Sequence, residues 1–391
     1  MLPSLEVTDV EVVAPPEDGD LGMNAPKRKP PVWRVVQILL AVAVVAISFL
    51  YAIPKIANYS EVWTEIRDMT RLELLFLFAA TALNLVTYWW ANMVSIPNLG
   101  LWQAAVNNQT STTVANTMPG GGYVSIAVSY EMYRAWGFSK TDVGLSVAVT
   151  SVLNIFAKLA LPAIALLLII FSGRASGSLV GASIVGILIL VAAVVLFGLV
   201  MWKKRFARSI GSGLGRAATW VARLLRRSRT FDWGDAAVRF RRTTIDFLVE
   251  RWFWLTSTTI LSHLSLYLVL LLALRFLGVS DTEVTWAQVL GVFAFGRLLT
   301  AVPITPGGLG IVEVAYIGGL ILAGRGHADV PADVFHAQVT AAVLVFRALT
   351  YGIQIPLGAL TYVVWRTNTS WRKPASIAAP EPRPSTVRGP S

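Results

Sequence analysis

Long apolar runs alternate with short polar breaks along most of this chain. Apolar runs of roughly 18 or more residues have the length to cross the ~30 Å hydrocarbon core of a bilayer as helices. On that criterion six full spans are predicted, at 35–53, 72–94, 142–171, 178–201, 253–276 and 333–365. The expected fold is an all-α polytopic membrane protein. Two further apolar segments, 101–135 and 286–324, are interrupted by Pro-Gly-Gly, in NTMPGGGYVS (116–125) and ITPGGLGIVE (304–313). Backbone left unpaired in lipid costs several kcal/mol per group, so such a break must face protein or a wet cavity. Both segments are predicted to be re-entrant helical hairpins, turning at Pro119–Gly121 and Pro306–Gly308. The glycines permit the turn and the close approach of a ligand. Each restarting helix is expected to turn its positive end toward a phosphate.

The two breaks belong to an internal repeat. Gly137 lies 18 residues after Pro119 and Gly326 lies 20 after Pro306; Lys158 lies 39 after the first proline and Arg347 lies 41 after the second. Each unit runs span, broken segment, span, over 72–171 and 253–365. Six crossings place the first broken segment on the cytoplasmic side and the second on the outer side, so the units are inverted. Inverted repeats with interrupted helices are a transporter architecture, with the site near the midplane.

Charge sets the orientation. The net charge is +11, and residues 202–251 carry thirteen Lys or Arg against four Asp or Glu. Between two spans this marks a cytoplasmic loop facing anionic inner-leaflet lipid, and it requires no nucleic acid. Lys27-Arg28-Lys29 and Arg366, Arg372 and Lys373 place both termini inside. Trp33, Trp90, Trp202, Trp252 and Trp365 then fall at cytoplasmic span ends as interfacial anchors. LGRAATWVARLLRRS, within the loop, has the spacing of a basic amphipathic helix lying on the membrane, with a solvated connector as the alternative. The acidic residues of 1–20 do not make a signal peptide. The expected organisation is a disordered tail at 1–32, a first membrane half at 33–201, the basic loop at 202–251, a second half at 252–365 and a disordered tail at 366–391.

Composition narrows the chemistry. Only 14% of residues are charged, against ~25% in a soluble domain. There is no cysteine, so thiolate metal sites and disulfides are excluded. No metal or other cofactor is expected, and no G-x-x-x-x-G-K-[ST] phosphate loop is present. The ionisable residues well inside the apolar segments are Lys158, His263, Arg297, Glu313 and Arg347. A Lys or Arg at a helix centre costs ~2.5–3.5 kcal/mol on an insertion scale, so each needs a partner or a function. Glu313 can neutralise Arg297 or Arg347, and the remaining positive charge suits an anionic head group. His263 reads more readily as a helix–helix hydrogen bonder. Arg275 reads as a snorkelling side chain, and Glu131 with Arg134 as a rim pair or gate. The 101–117 arm is polar for a membrane segment, with Asn107, Asn108, Gln109, Thr110 and Asn116, and is expected to face inward.

NTMPGGG…YEMYRAWGFS, ITPGGLGIVE and LVFRALTYGIQIPLG together resemble the lysylphosphatidylglycerol synthase transmembrane region, the flippase-type membrane domain of bacterial multiple-peptide-resistance proteins and their stand-alone relatives. The likeness covers roughly 34–365. It implies movement of charged or glycosylated lipids between leaflets. By motif it points to Pro306, Gly307, Gly308, Gly310, Glu313 and Arg347, and to Pro119, Gly120 and Gly121. About 26 polar residues follow the last span, so the chain is not expected to aminoacylate a lipid itself. Glu131 stands where relatives are expected to be basic.

The leading expectation is a non-enzymatic flippase or lipid transporter of the bacterial inner membrane. Arg297, Arg347, Lys158 and Asn116 would bind an anionic or phosphate-linked head, with Glu313 pairing an arginine or exchanging a proton. Two alternatives stand beside it. One is an integral-membrane transferase using a lipid-linked donor, with Glu61, Glu65 and Asp68 as its acids. The other is a partner protein whose basic loop docks a lipid-modifying enzyme.

Overall fold

The computed structural model describes residues 58–118, 120–171, 203–224, 233–300 and 305–368, with scattered helical positions between 188 and 199. The spans expected at 35–53 and, for the most part, 178–201 lie outside the described residues. So do Pro119, Trp33, Trp202 and nearly all of the two tails.

Every regular element among the described residues is helical. In chain order they are α1 (Tyr59–Arg67), α2 (Arg71–Ser95), α3 (Leu101–Thr117), α4 (Gly121–Ala135), α5 (Lys140–Phe171), α6 (Lys204–Leu224), α7 (Gly234–Phe276), α8 (Trp286–Leu299), α9 (Ile311–Gly324), α10 (Ala332–Arg347) and α11 (Gln354–Thr367). A 3-10 turn at Pro306–Gly308 precedes α9, and a π turn at Ala348–Gly352 joins α10 to α11. Five stretches among the described residues are long and apolar enough to cross a membrane: Arg71–Ser95, Lys140–Phe171, Arg241–Phe276, Pro306–Gly324 and Ala332–Thr367. The chain is therefore a multi-pass membrane protein.

Local chemistry sets the boundaries. Thr70 and Glu73 form a reciprocal capping box that starts α2, and Thr285 with Gln288 does the same for α8. α2 stops at Ile96, held extended by the following Pro97. Pro356 lacks the N–H that would bond the Gly352 carbonyl, and the wide π turn lies just before it. The fifth predicted span, 253–276, lies within a longer helix. α7 begins at Gly234 and runs 43 residues, about 65 Å at 1.5 Å per residue. Its first turns are rich in charged residues, so hydropathy does not register them. α6 is strongly amphipathic, packs along α7, and is tied to it by an exposed Arg208–Asp235 ion pair of 2.7 Å.

The packing order is reciprocal. α2 lies antiparallel to α7, with Asn84 donating to the Ser262 carbonyl at 3.0 Å, Arg251 to the Val94 carbonyl at 3.2 Å, and Phe76 beside Phe276. α3 packs on α11, where Thr110 meets Thr361 at 3.1 Å and Thr113 donates to the Gln354 carbonyl at 2.8 Å. α8 packs on α5, with Gly291 against Ile169. Each broken segment thus lies on the last helix of the opposite unit. Each also folds back on itself. Gly121 sits where a Cβ would meet the Val114 carbonyl, and Asn107 reaches the Ser129 carbonyl at 3.4 Å. Gly296 lies against Tyr316, and Gln288 donates to the Ala323 carbonyl at 3.3 Å. The main core joins α2, α5 and α7–α10 around Phe293, Tyr316, Ile317 and Leu270. A smaller core at the base of the α3–α4 hairpin holds Met132, Tyr133 and Trp136.

Candidate functional site

The turns of the two hairpins meet. Tyr351, in the π turn, places its hydroxyl 2.7 Å from the Asn116 carbonyl and 3.1 Å from the Pro306 carbonyl, and donates to one of them at a time. Gly307 has φ +58°, and a Cβ there would lie 2.3 Å from a Tyr351 ring carbon and 2.8 Å from Asn116 Oδ1. Only glycine fits this junction.

Behind the second turn sits a buried ion pair. Arg347 Nε donates to Glu313 Oε1 at 2.5 Å, and the Gly310 N–H donates to Glu313 Oε2 at 2.6 Å. Glu313 is fully buried. The Arg347 guanidinium also donates to the Gly307 carbonyl at 3.3 Å and stacks 4.5 Å over the Tyr351 ring. Of the two arginines open to it in the sequence, Glu313 takes Arg347. It also accepts from the Gly310 N–H, which places a carboxylate at the N-terminus of its own helix, where a phosphate was expected. α4 differs: Gly120, in the left-handed region at φ +69°, and Gly121 and Gly122 line open space.

That space is a cavity of about 520 Å³ at the junction of the two hairpins. Lys158 from α5, Arg297 from α8 and Arg347 from α10 line it, together with Asn116, Gly120, Gly121, Gly307 and Gly308. Gly310 and Glu313 stand behind the wall, and Pro306 contributes its carbonyl to Tyr351. Arg297 has no carboxylate partner among the described residues, and its Nε is buried without a hydrogen bond there. Lys158 likewise has no ion pair among them and lines the same cavity. With Arg347 balanced by Glu313, two positive charges and the α4 N-terminus face one cavity. Both side chains are partly buried and reach the cavity without a carboxylate, so an anion is their natural complement.

The other candidates settle elsewhere. His263 is buried, with Nδ1 2.9 Å from the Thr259 carbonyl, and does not line the cavity. Arg275 clasps the α7–α8 loop through Asp281 at 2.7 Å and the Val279 and Val284 carbonyls. Arg134 donates to the Phe138 carbonyl at 2.6 Å and closes the end of α4. α1 buries Val62 and leaves Glu61 and Asp68 exposed. Partial burial, and then the charge of Asp68, hold Glu65 above the usual carboxylate range. The sequence reading missed Tyr351, although its spacing of four from Arg347 puts the two on one helix face.

The lysylphosphatidylglycerol synthase TM region model matches residues 38–358. The chain belongs to this family. Membership points to a membrane-lipid-related function, and the match covers every residue that lines the cavity. No curated protein matches the chain.

Proposed function

We propose that this family member is a lipid flippase or transporter that moves an anionic or phosphate-linked lipid between the leaflets of the bacterial inner membrane. The observation that carries the reading is the pair of unbalanced cations, Arg297 and Lys158, in a cavity where two glycine turns meet. The reciprocal packing supports two inverted repeats. α8, with 14 residues, is about 21 Å long, short of the ~30 Å core, which supports a hairpin that enters and leaves on one side. With both termini cytoplasmic, the α3–α4 hairpin enters from inside and the α8–α9 hairpin from outside. The head group binds Arg297, Lys158 and the α4 N-terminus while its tails stay in lipid. The basic α6 rests on anionic inner-leaflet lipid.

Leaflet exchange of labelled phosphatidic acid by purified protein in phosphatidylcholine vesicles tests this. Exchange is expected from the unsubstituted chain and lost in Arg297→Ala/Lys158→Gln. A folded protein that moves no lipid overturns the reading.

A further inference from the structure

A second pocket, of about 180 Å³, adjoins the cationic cavity; Tyr88 and Asn108 line both. Its walls come from α2, α3, α5 and α7, and none of its lining residues is charged. Its chemistry is set by where the hydroxyl hydrogens go. Thr150 donates to the Ser146 carbonyl at 2.7 Å, Thr258 to Trp254 at 2.7 Å, Thr259 to Leu255 at 2.7 Å and Ser262 to Thr259 at 2.8 Å. With those hydrogens committed to their own helices, the oxygens offer lone pairs. Asn154 spends one amide N–H on the Thr150 carbonyl at 2.8 Å and keeps its Oδ1. The side chains of Asn92 and Asn108 have no hydrogen-bond partner among the described residues. The pocket is therefore rich in neutral acceptors, with a few amide donors.

We propose that this pocket is the subsite for an uncharged, hydroxyl-rich head, such as a glycosyl, inositol or glycerol unit, carried on the phosphate held by Arg297 and Lys158. The inference rests on the transport reading above and names its substrate class. Hydroxyls of such a head donate to the threonine, serine and asparagine oxygens and accept from the free amides. An aminoacyl head fits poorly. Its ammonium would be desolvated beside two cations with no carboxylate in the pocket to receive it.

The test is leaflet exchange of three labelled lipids by the full chain in phosphatidylcholine vesicles: phosphatidylinositol, phosphatidic acid and lysylphosphatidylglycerol. Phosphatidylinositol is expected to move at least about tenfold faster than the lysyl lipid, as the loss of one or two good hydrogen bonds or an unpaired charge implies. Thr259→Val/Ser262→Ala is expected to lower the inositol-to-phosphatidic-acid rate ratio about tenfold on the same grounds. Asn154→Asp, which keeps the side-chain shape and supplies a carboxylate, is expected to raise exchange of the lysyl lipid relative to phosphatidylinositol. A lysyl lipid that keeps pace with phosphatidylinositol in the unsubstituted chain overturns this inference and leaves transport standing. So does a rate ratio that neither variant shifts. If none of the three lipids moves, both readings fall.

Discussion

The two hairpins share a Pro-Gly-Gly turn and differ in what surrounds it. The second is locked. Its carboxylate closes its own helix, pairs Arg347 and lies at 0% exposure, while Tyr351 and the Gly307 carbonyl complete the clasp. The first is open at its turn, where a Cβ on Gly120 or Gly122 would touch nothing. Its α3 arm carries amides and hydroxyls in place of charges, and the hairpin is secured at its base by Met132, Tyr133 and Trp136. Gly307 is thus packed into an anchor in one half, whereas Gly120 opens onto the cavity in the other. The comparison also separates the cations: Arg347 is paired with Glu313, whereas Arg297 and Lys158 have no carboxylate partner among the described residues.

Removing the lock has the largest expected effect. Glu313→Ala leaves Arg347 buried without a partner and should cost ~3–5 kcal/mol of stability, and Glu313→Leu/Arg347→Met should recover much of it. Denaturant unfolding of the purified protein checks this, and an unchanged midpoint in Glu313→Ala would remove the anchor from the comparison. Next come the turns themselves. Gly307→Ala combines a positive φ with a collision against Tyr351 and should cost ~2–5 kcal/mol, whereas Gly120→Ala meets only the backbone penalty of ~1–2 kcal/mol. Equal losses would mean that the two turns are equally packed.

Hydropathy made part of this legible. The spans at 72–94 and 142–171 coincide with α2 and α5 to within a few residues, because an uninterrupted apolar run has few other fates. The glycine turns were legible for the converse reason. What stayed hidden was relational. Nothing local tells Glu313 to choose Arg347 over Arg297, since the choice depends on where α8 and α10 lie around α9. Tyr351 in an apolar run looks like packing until the carbonyls of Asn116 and Pro306, 235 and 45 residues away, are brought to its hydroxyl. The start of α7 looked like loop because a helix rich in charged residues carries no hydropathy signal.

Two smaller effects sharpen the contrast. Arg297→Ala should leave unfolding unchanged or slightly improved, since no partner is stranded, while phosphatidic acid exchange falls about tenfold or more, the size expected for one lost charge-assisted contact. Loss of stability comparable to Glu313→Ala would place Arg297 in the anchor as well. Thr361→Val removes a hydroxyl contact that ties the first hairpin to α11, and should cost only ~0.6 kcal/mol, typical of hydrogen bonds between membrane helices. A loss of several kcal/mol would show that the open hairpin is held as tightly as the locked one.

The reciprocal packing also constrains how the molecule is made. α3 leaves the ribosome early, yet its cover, α11, is 251 residues away at the Thr110–Thr361 contact. At roughly 5–20 residues per second, the polar arm waits about 12–50 s for the helix that satisfies it. Thr110 and Thr113, whose side-chain partners lie on α11, cannot spend that time bare in lipid. The first hairpin must be sheltered during synthesis, by the insertion machinery or by a temporary position at the water boundary. It is translated long before α11 and reaches its final place only after it.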